Sequence, residues 1–71
     1  MVYPNIRALR EDRDLKQREL AALLHVSQNT YSKYETGTIA LTGEHLVLLA
    51  DFYGVSVDYL LGRSDDPRPR R

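Results

Sequence analysis

Apolar residues recur along this chain at intervals of three and four, with no convincing run of alternation, so the pattern predicts five helices and no strand. Pro4 suits a first helical turn, where its missing N–H costs nothing. Ile6 and Leu9 then form one apolar stripe that ends near Asp12 to Asp14, giving a helix over 4–13. Leu15 is expected between helices, facing the core. A short second helix over 17–24 buries Leu20, Leu23 or Leu24, with Ala21 beside them. After a break at His25-Val26, Ser27 is a good N-cap for a third helix reaching Glu35, closed by Gly37 as a left-handed residue. A loop with Ile39 and Leu41 leads to Thr42, the expected cap of a fourth helix carrying Leu46, Leu49, Ala50 and Tyr53 until Gly54. Ser56 caps a last turn or two, Val57 to Leu61, closed by Gly62.

The third helix has two unlike faces. At about 100° per residue, with Gln28 at zero, Ser32, Thr36, Asn29 and Lys33 fall at roughly 40°, 80°, 100° and 140°, and Thr30, Tyr34, Ser27 and Tyr31 at roughly 200° to 300°. One arc packs and the other is polar. Its polarity comes from amides and hydroxyls, which both donate and accept and can match base edges, whereas a merely solvated face favours Glu and Lys. Small Ala21 has a geometric reason as well: a helix crossing another steeply needs a contact residue without bulk, and Leu20, Leu24, Val26, Tyr31 and Tyr34 surround that crossing.

Composition narrows the picture. At 71 residues there is room for one small core, and 42% hydrophobic with 28% charged residues is the balance of an ordinary soluble globular domain. The absence of cysteine excludes disulfides, a thiolate nucleophile and a cysteine-based zinc site. No basic region precedes an apolar run at the start, and the apolar stretches are too short to span a bilayer, so a cytoplasmic location without membrane contact is expected. Ten Lys and Arg balance ten Asp and Glu. That neutrality weighs against nucleic acid as partner, but the distribution is uneven: Arg7, Arg10, Arg13, Lys16, Arg18 and Lys33 lie in the first half, Glu44, Asp51, Asp58, Asp65 and Asp66 in the second. The proline-broken stretch from Arg63, with Arg68, Arg70 and Arg71, lacks an apolar face. The chain is therefore divided into a domain over 1–62 and a flexible basic tail over 63–71.

The phrases LKQRELA, VSQNTYSKYE and GVSVDYLLG together resemble the helix-turn-helix of the phage repressor and Cro family, often called Xre-like, over roughly residues 6–62. The resemblance implies an all-α, five-helix, lambda-repressor-like DNA-binding domain with helices two and three as the helix-turn-helix. It further implies a transcriptional regulator, a repressor that blocks polymerase from a double-stranded DNA operator, acting as a homodimer on half-sites about one helical turn apart. No cofactor, metal or small-molecule ligand is expected.

Residue by residue, the resemblance implies base contacts from Gln28, Asn29, Ser32 and Lys33. Either amide can bond adenine bidentately, and Lys33 reads guanine or neutralises a phosphate. Phosphate contacts are expected from Gln17 at the start of helix two and from Lys16, Arg18, Thr30, Thr36 and Thr38. The bland alternatives are a solvated amide for Gln17, capping or simple exposure for Asn29, and partial burial for Thr30. Tyr31 is expected to pack with its hydroxyl at the rim, and Tyr34 to lie in the core. Arg10 and Glu35 are expected to pair across the interior, the alternative being two separate surface charges. Helix five and its flanks, with Val55, Val57 and Tyr59, are the expected dimer face.

Three departures qualify this. His25 stands where the family commonly has glycine, which histidine can replace in a left-handed turn. It is far more readily a turn residue than a ligand, and His45, twenty positions on, offers no metal spacing. Lys16 replaces the usual Ser, Thr or Asn cap. The loop 36–43 carries no cation, which predicts weaker, less salt-sensitive binding. An enzyme is not expected, because no nucleophile elbow, phosphate loop, paired-carboxylate cleft or metal motif brings Ser, His and Asp together. The rival reading is a protein-interaction module that presents Gln28, Asn29 and Lys33 to another protein.

Overall fold

The computed structural model describes residues 3–68, and among these it is all helical: α1 (Pro4–Asp12), α2 (Gln17–Leu24), α3 (Gln28–Thr36), α4 (Gly43–Tyr53) and α5 (Val57–Leu60). The expected α2 and α4 are reproduced, and α1, α3 and α5 differ from expectation by a residue at the C-terminal end, where fraying makes boundaries soft. Helix starts follow local chemistry. Pro4 opens α1, and the Ser27, Thr42 and Ser56 hydroxyls each accept the backbone N–H three residues on. Lys16 has no capping oxygen, so α2 is held differently: the Glu19 carboxylate reaches back to the Lys16 N–H at 2.6 Å.

The helix ends share one device. After α2, His25 takes φ 57° while its N–H bonds Ala22 O and the Val26 N–H bonds Ala21 O, the paired closure of a left-handed cap. After α3, Gly37 at φ 78° does the same at the expected place. After α1, the left-handed residue is Asp14, at φ 54°. No glycine marks that turn, and an aspartate tolerates the region better than most side chains do.

Ile6, Leu20, Leu24, Tyr31, Leu49 and Leu60 are fully buried at the centre, the five aliphatic side chains each contributing about 1.5–3 kcal/mol. α2 packs chiefly on α3, α1 on α3 and α5, and α4 on α2 and α5, so the pair α2–α3 rests on a platform made by the others. Ala21, 3% exposed, lies in the core where the crossing demands a small side chain. Leu9, Leu15, Leu23, Val26 and Leu46 are half-buried against it. Two expectations are corrected. Tyr31 has no exposed surface and its hydroxyl is buried rather than at the rim, because α1 packs over that face of α3. Val55 is 8% exposed and belongs to the core, since the turn after α4 folds it inward, so it offers little surface to the expected dimer face. Among the described residues, the large apolar side chains left exposed are Ile39, Val47 and Phe52.

Beyond α5 the chain touches the body again: the Ser56 N–H donates to the Pro67 carbonyl at 2.9 Å, and Arg68 pairs with Asp66. Arg70 and Arg71 lie outside the described residues. No helix is long and apolar enough to cross a membrane among those described.

Candidate nucleic-acid interface

The Ser27 hydroxyl accepts the Thr30 N–H at 3.1 Å and donates to the Thr30 hydroxyl at 3.0 Å. Asn29 is therefore not spent on capping. Along α3, Tyr31, Tyr34 and Glu35 are buried, whereas Gln28, Asn29 and Lys33 are exposed and Ser32 is half-exposed. The four side chains expected at base edges therefore occupy one solvent-facing arc, and among the described residues nothing hydrogen-bonds to them. Their donors and acceptors are uncommitted.

The flanking set is less uniform. Lys16 and Arg18 are exposed beside the start of α2, whose first N–H groups have no partner within the helix. Thr30 keeps its own hydroxyl proton, because the hydroxyl only accepts from Ser27. Thr36 and Thr38 are exposed but occupied: the Thr36 hydroxyl donates to Lys33 O at 3.2 Å and lies 2.9 Å from the Thr38 hydroxyl, which must then be the donor between them. Neither has a spare proton for an anion unless it rotates.

Beneath this surface Arg10 and Glu35 meet as a fork, Nε to Oε2 at 2.6 Å and Nη2 to Oε1 at 3.1 Å, with side chains 14% and 3% exposed. The expected pairing is present, and the two separate surface charges are not. Arg10 Nη1 also donates to Leu15 O at 3.0 Å, and Gln17 Nε2 donates to Glu35 Oε1 at 3.2 Å. Burial alone would raise the Glu35 carboxyl. The Arg10 hydrogen bonds, the nearby Tyr31 hydroxyl, the Gln17 amide and the Arg10 charge outweigh it and hold the group below its ordinary range. Arg10 is raised in turn, chiefly by its bond to Glu35. The Tyr31 hydroxyl, buried and without a hydrogen bond among the described residues, is pushed up by burial and by the neighbouring carboxylate.

The Gln17–Glu35 bond escaped the reading of the sequence, which treated the two residues separately. The only sequence signal was indirect: the expected Arg10–Glu35 pair brings the end of α3 toward α1. What completes the contact is the turn through Asp14 and Leu15, which places the start of α2 over that pair. Two further contacts had no sequence signature. Arg13 donates to the Tyr53 carbonyl at 2.8 Å with its guanidinium 5.1 Å from the Tyr53 ring centre, and the Tyr34 hydroxyl lies 3.2 Å from His45 Nδ1.

Residues 6–60 match a protein family described as helix-turn-helix. Among curated proteins, the chain is 37% identical over 70 residues to an uncharacterised HTH-type transcriptional regulator, YobD, of Bacillus subtilis, covering 99% of this chain and 62% of that one. It is 43% identical over 65 residues to the cryptic phage CTXphi transcriptional repressor RstR of Vibrio cholerae, covering 92% of this chain and 59% of that one. The chain thus spans about three fifths of these relatives. Among solved structures, the P22 c2 repressor in complex with a synthetic operator superposes with a TM-score of 0.78 at 29% identity, covering 90% of this chain and 98% of that one.

Proposed function

Since the chain belongs to the helix-turn-helix family, we propose that it binds double-stranded DNA sequence-specifically and regulates transcription as a repressor, occupying an operator that polymerase needs. One observation carries this reading: Gln28, Asn29 and Lys33 stand exposed and uncommitted on a helix whose opposite face is locked into the core. The P22 c2 repressor, of similar fold, is bound to a synthetic operator, which supports the same use of α3 here.

In this reading α3 enters the major groove by its N-terminal half. Gln28 and Asn29 present amides that bond adenine at N6 and N7, Ser32 adds an adaptable hydroxyl, and Lys33 reaches guanine or phosphate. Lys16, Arg18, the Gln17 amide and the first N–H groups of α2 hold one phosphate-rich strand, and Thr30 donates its free hydroxyl proton nearby. Thr36 and Thr38 join after rotating away from their mutual bond. A single short helix reads few base pairs, so useful specificity calls for a homodimer on half-sites one helical turn apart. α5 is the proposed dimer face, with half-buried Val57 and Tyr59 and without Val55. Neither a cofactor nor a catalytic group takes part, and the expected setting is the cytoplasm.

A net charge of zero favours the second reading, a protein-interaction module that offers the same arc to another protein. Selection from a random duplex pool, followed by anisotropy titration of the selected duplex against salt, separates the two. A regulator yields an enriched motif and affinity that falls with salt. No enrichment and no salt dependence would favour the module.

A further inference from the structure

We infer that Glu35 is a positioning residue for the Gln17 amide, fixing which edge of that amide can meet a phosphate; this rests on the DNA reading above. A glutamine at the first turn of a helix can turn either its oxygen or its nitrogen toward an anion, and only the nitrogen binds one. A carboxylate accepts and never donates. With Gln17 Nε2 at 3.2 Å from Glu35 Oε1, the flipped amide would set two acceptors against each other. The observed orientation spends one proton of the amide nitrogen on Glu35 and leaves the second for an outside acceptor.

That arrangement places a carboxylate near a proposed phosphate, which would repel unless neutralised. Arg10 neutralises it with a two-point fork, and the same guanidinium bonds the Leu15 carbonyl in the turn that feeds α2. Glu35 also lies on α3, the helix bearing Gln28, Asn29 and Lys33. One chain of bonds, from the turn before α2 through Arg10 and Glu35 to Gln17, therefore ties the phosphate anchor of one helix to the base-reading face of the next.

A double-mutant cycle on the full chain tests this, using the duplex obtained by selection and anisotropy as the readout. In Glu35→Gln the one amide oxygen goes to the charged guanidinium, leaving an NH₂ toward Gln17 that invites the flip. Gln17→Ala is expected to weaken binding about tenfold per protomer, the worth of one charge-assisted hydrogen bond. Glu35→Gln should weaken it comparably, and the double variant should be no worse than Gln17→Ala alone. Losses that multiply in the double variant would overturn the inference. Failure of the unaltered chain to bind any selected duplex would instead remove the DNA reading beneath it. The unaltered protein supplies a second readout that does not depend on Glu35→Gln folding. The ¹⁵N order parameter of the free Gln17 side-chain amide should exceed those of Gln28 and Asn29, and its signal should shift on adding duplex. A Gln17 amide as mobile as theirs overturns the inference.

Discussion

Arg10 illustrates how much can hang on one side chain in a 71-residue protein. It serves two oxygens of Glu35 and one of Leu15, so Arg10→Met strands a buried carboxylate. Urea unfolding should show a loss of about 3–5 kcal/mol, whereas Arg10→Met with Glu35→Leu, which removes both charges, should lose much less. Glu35 also sets an acid limit. Its folded pKa lies below the ordinary 4.5, so its contribution is complete above that value and is lost as pH falls toward the folded one. The double variant should lack that part of the acid decline. Tyr53 sets the opposite limit: burial pushes its hydroxyl from 10.0 up to about 12, so stability holds below pH 10 and is lost as pH rises from 10 to 12. Since that hydroxyl has no hydrogen bond among the described residues, Tyr53→Phe should be neutral or stabilising at pH 7 and should blunt the alkaline loss. On the binding face, Asn29→Ala should relax preference at one base position by about 1–3 kcal/mol without affecting the others.

At the scale of the helices, what was legible in the sequence was what short-range chemistry dictates. Ser27, Thr42 and Ser56 announced three helix starts because each hydroxyl meets an N–H only three residues away. Ser27→Ala should accordingly cost about 1 kcal/mol in thermal or urea unfolding. The two arcs of α3 were legible for a similar reason, because angular position follows from spacing alone. The turn at Asp14 was not, since its left-handed conformation is imposed by packing on either side rather than by a glycine. His25 marks the intermediate case, a residue expected in the turn and found there at φ 57°. His25→Gly should raise stability by up to about 1 kcal/mol, the relief of a side chain held in that region less the added freedom of the unfolded chain. The Gln17–Glu35 bond was illegible because it spans eighteen residues and needs three elements in place at once.

Across the whole molecule, the balance of charge matters less than its placement. Lys16, Arg18 and Lys33 flank an arc of neutral amides and hydroxyls, while Glu44, Asp51 and Asp58 belong to α4 and α5. With about six cationic phosphate contacts in a dimer, log K against log salt should fall with a slope near −5. Val57 lies at the first position of α5 and also packs on the core, so a loss of cooperative operator binding in Val57→Asp reports on the dimer face where urea unfolding shows the fold retained, and on the helix where it does not. The return of the chain at Pro67 shows the limit of composition as a guide. Residues without an apolar face gave no sign of it, because the contact to Ser56 is made by main-chain atoms alone. The most direct test of the account is the affinity ratio between the selected duplex and a scrambled duplex of equal length at physiological salt. The exposed arc of α3 predicts a ratio of at least about 10³, lost when Gln28, Asn29 and Lys33 are together replaced by alanine. Equal affinity for the two duplexes, or a ratio unchanged by that replacement, would contradict it.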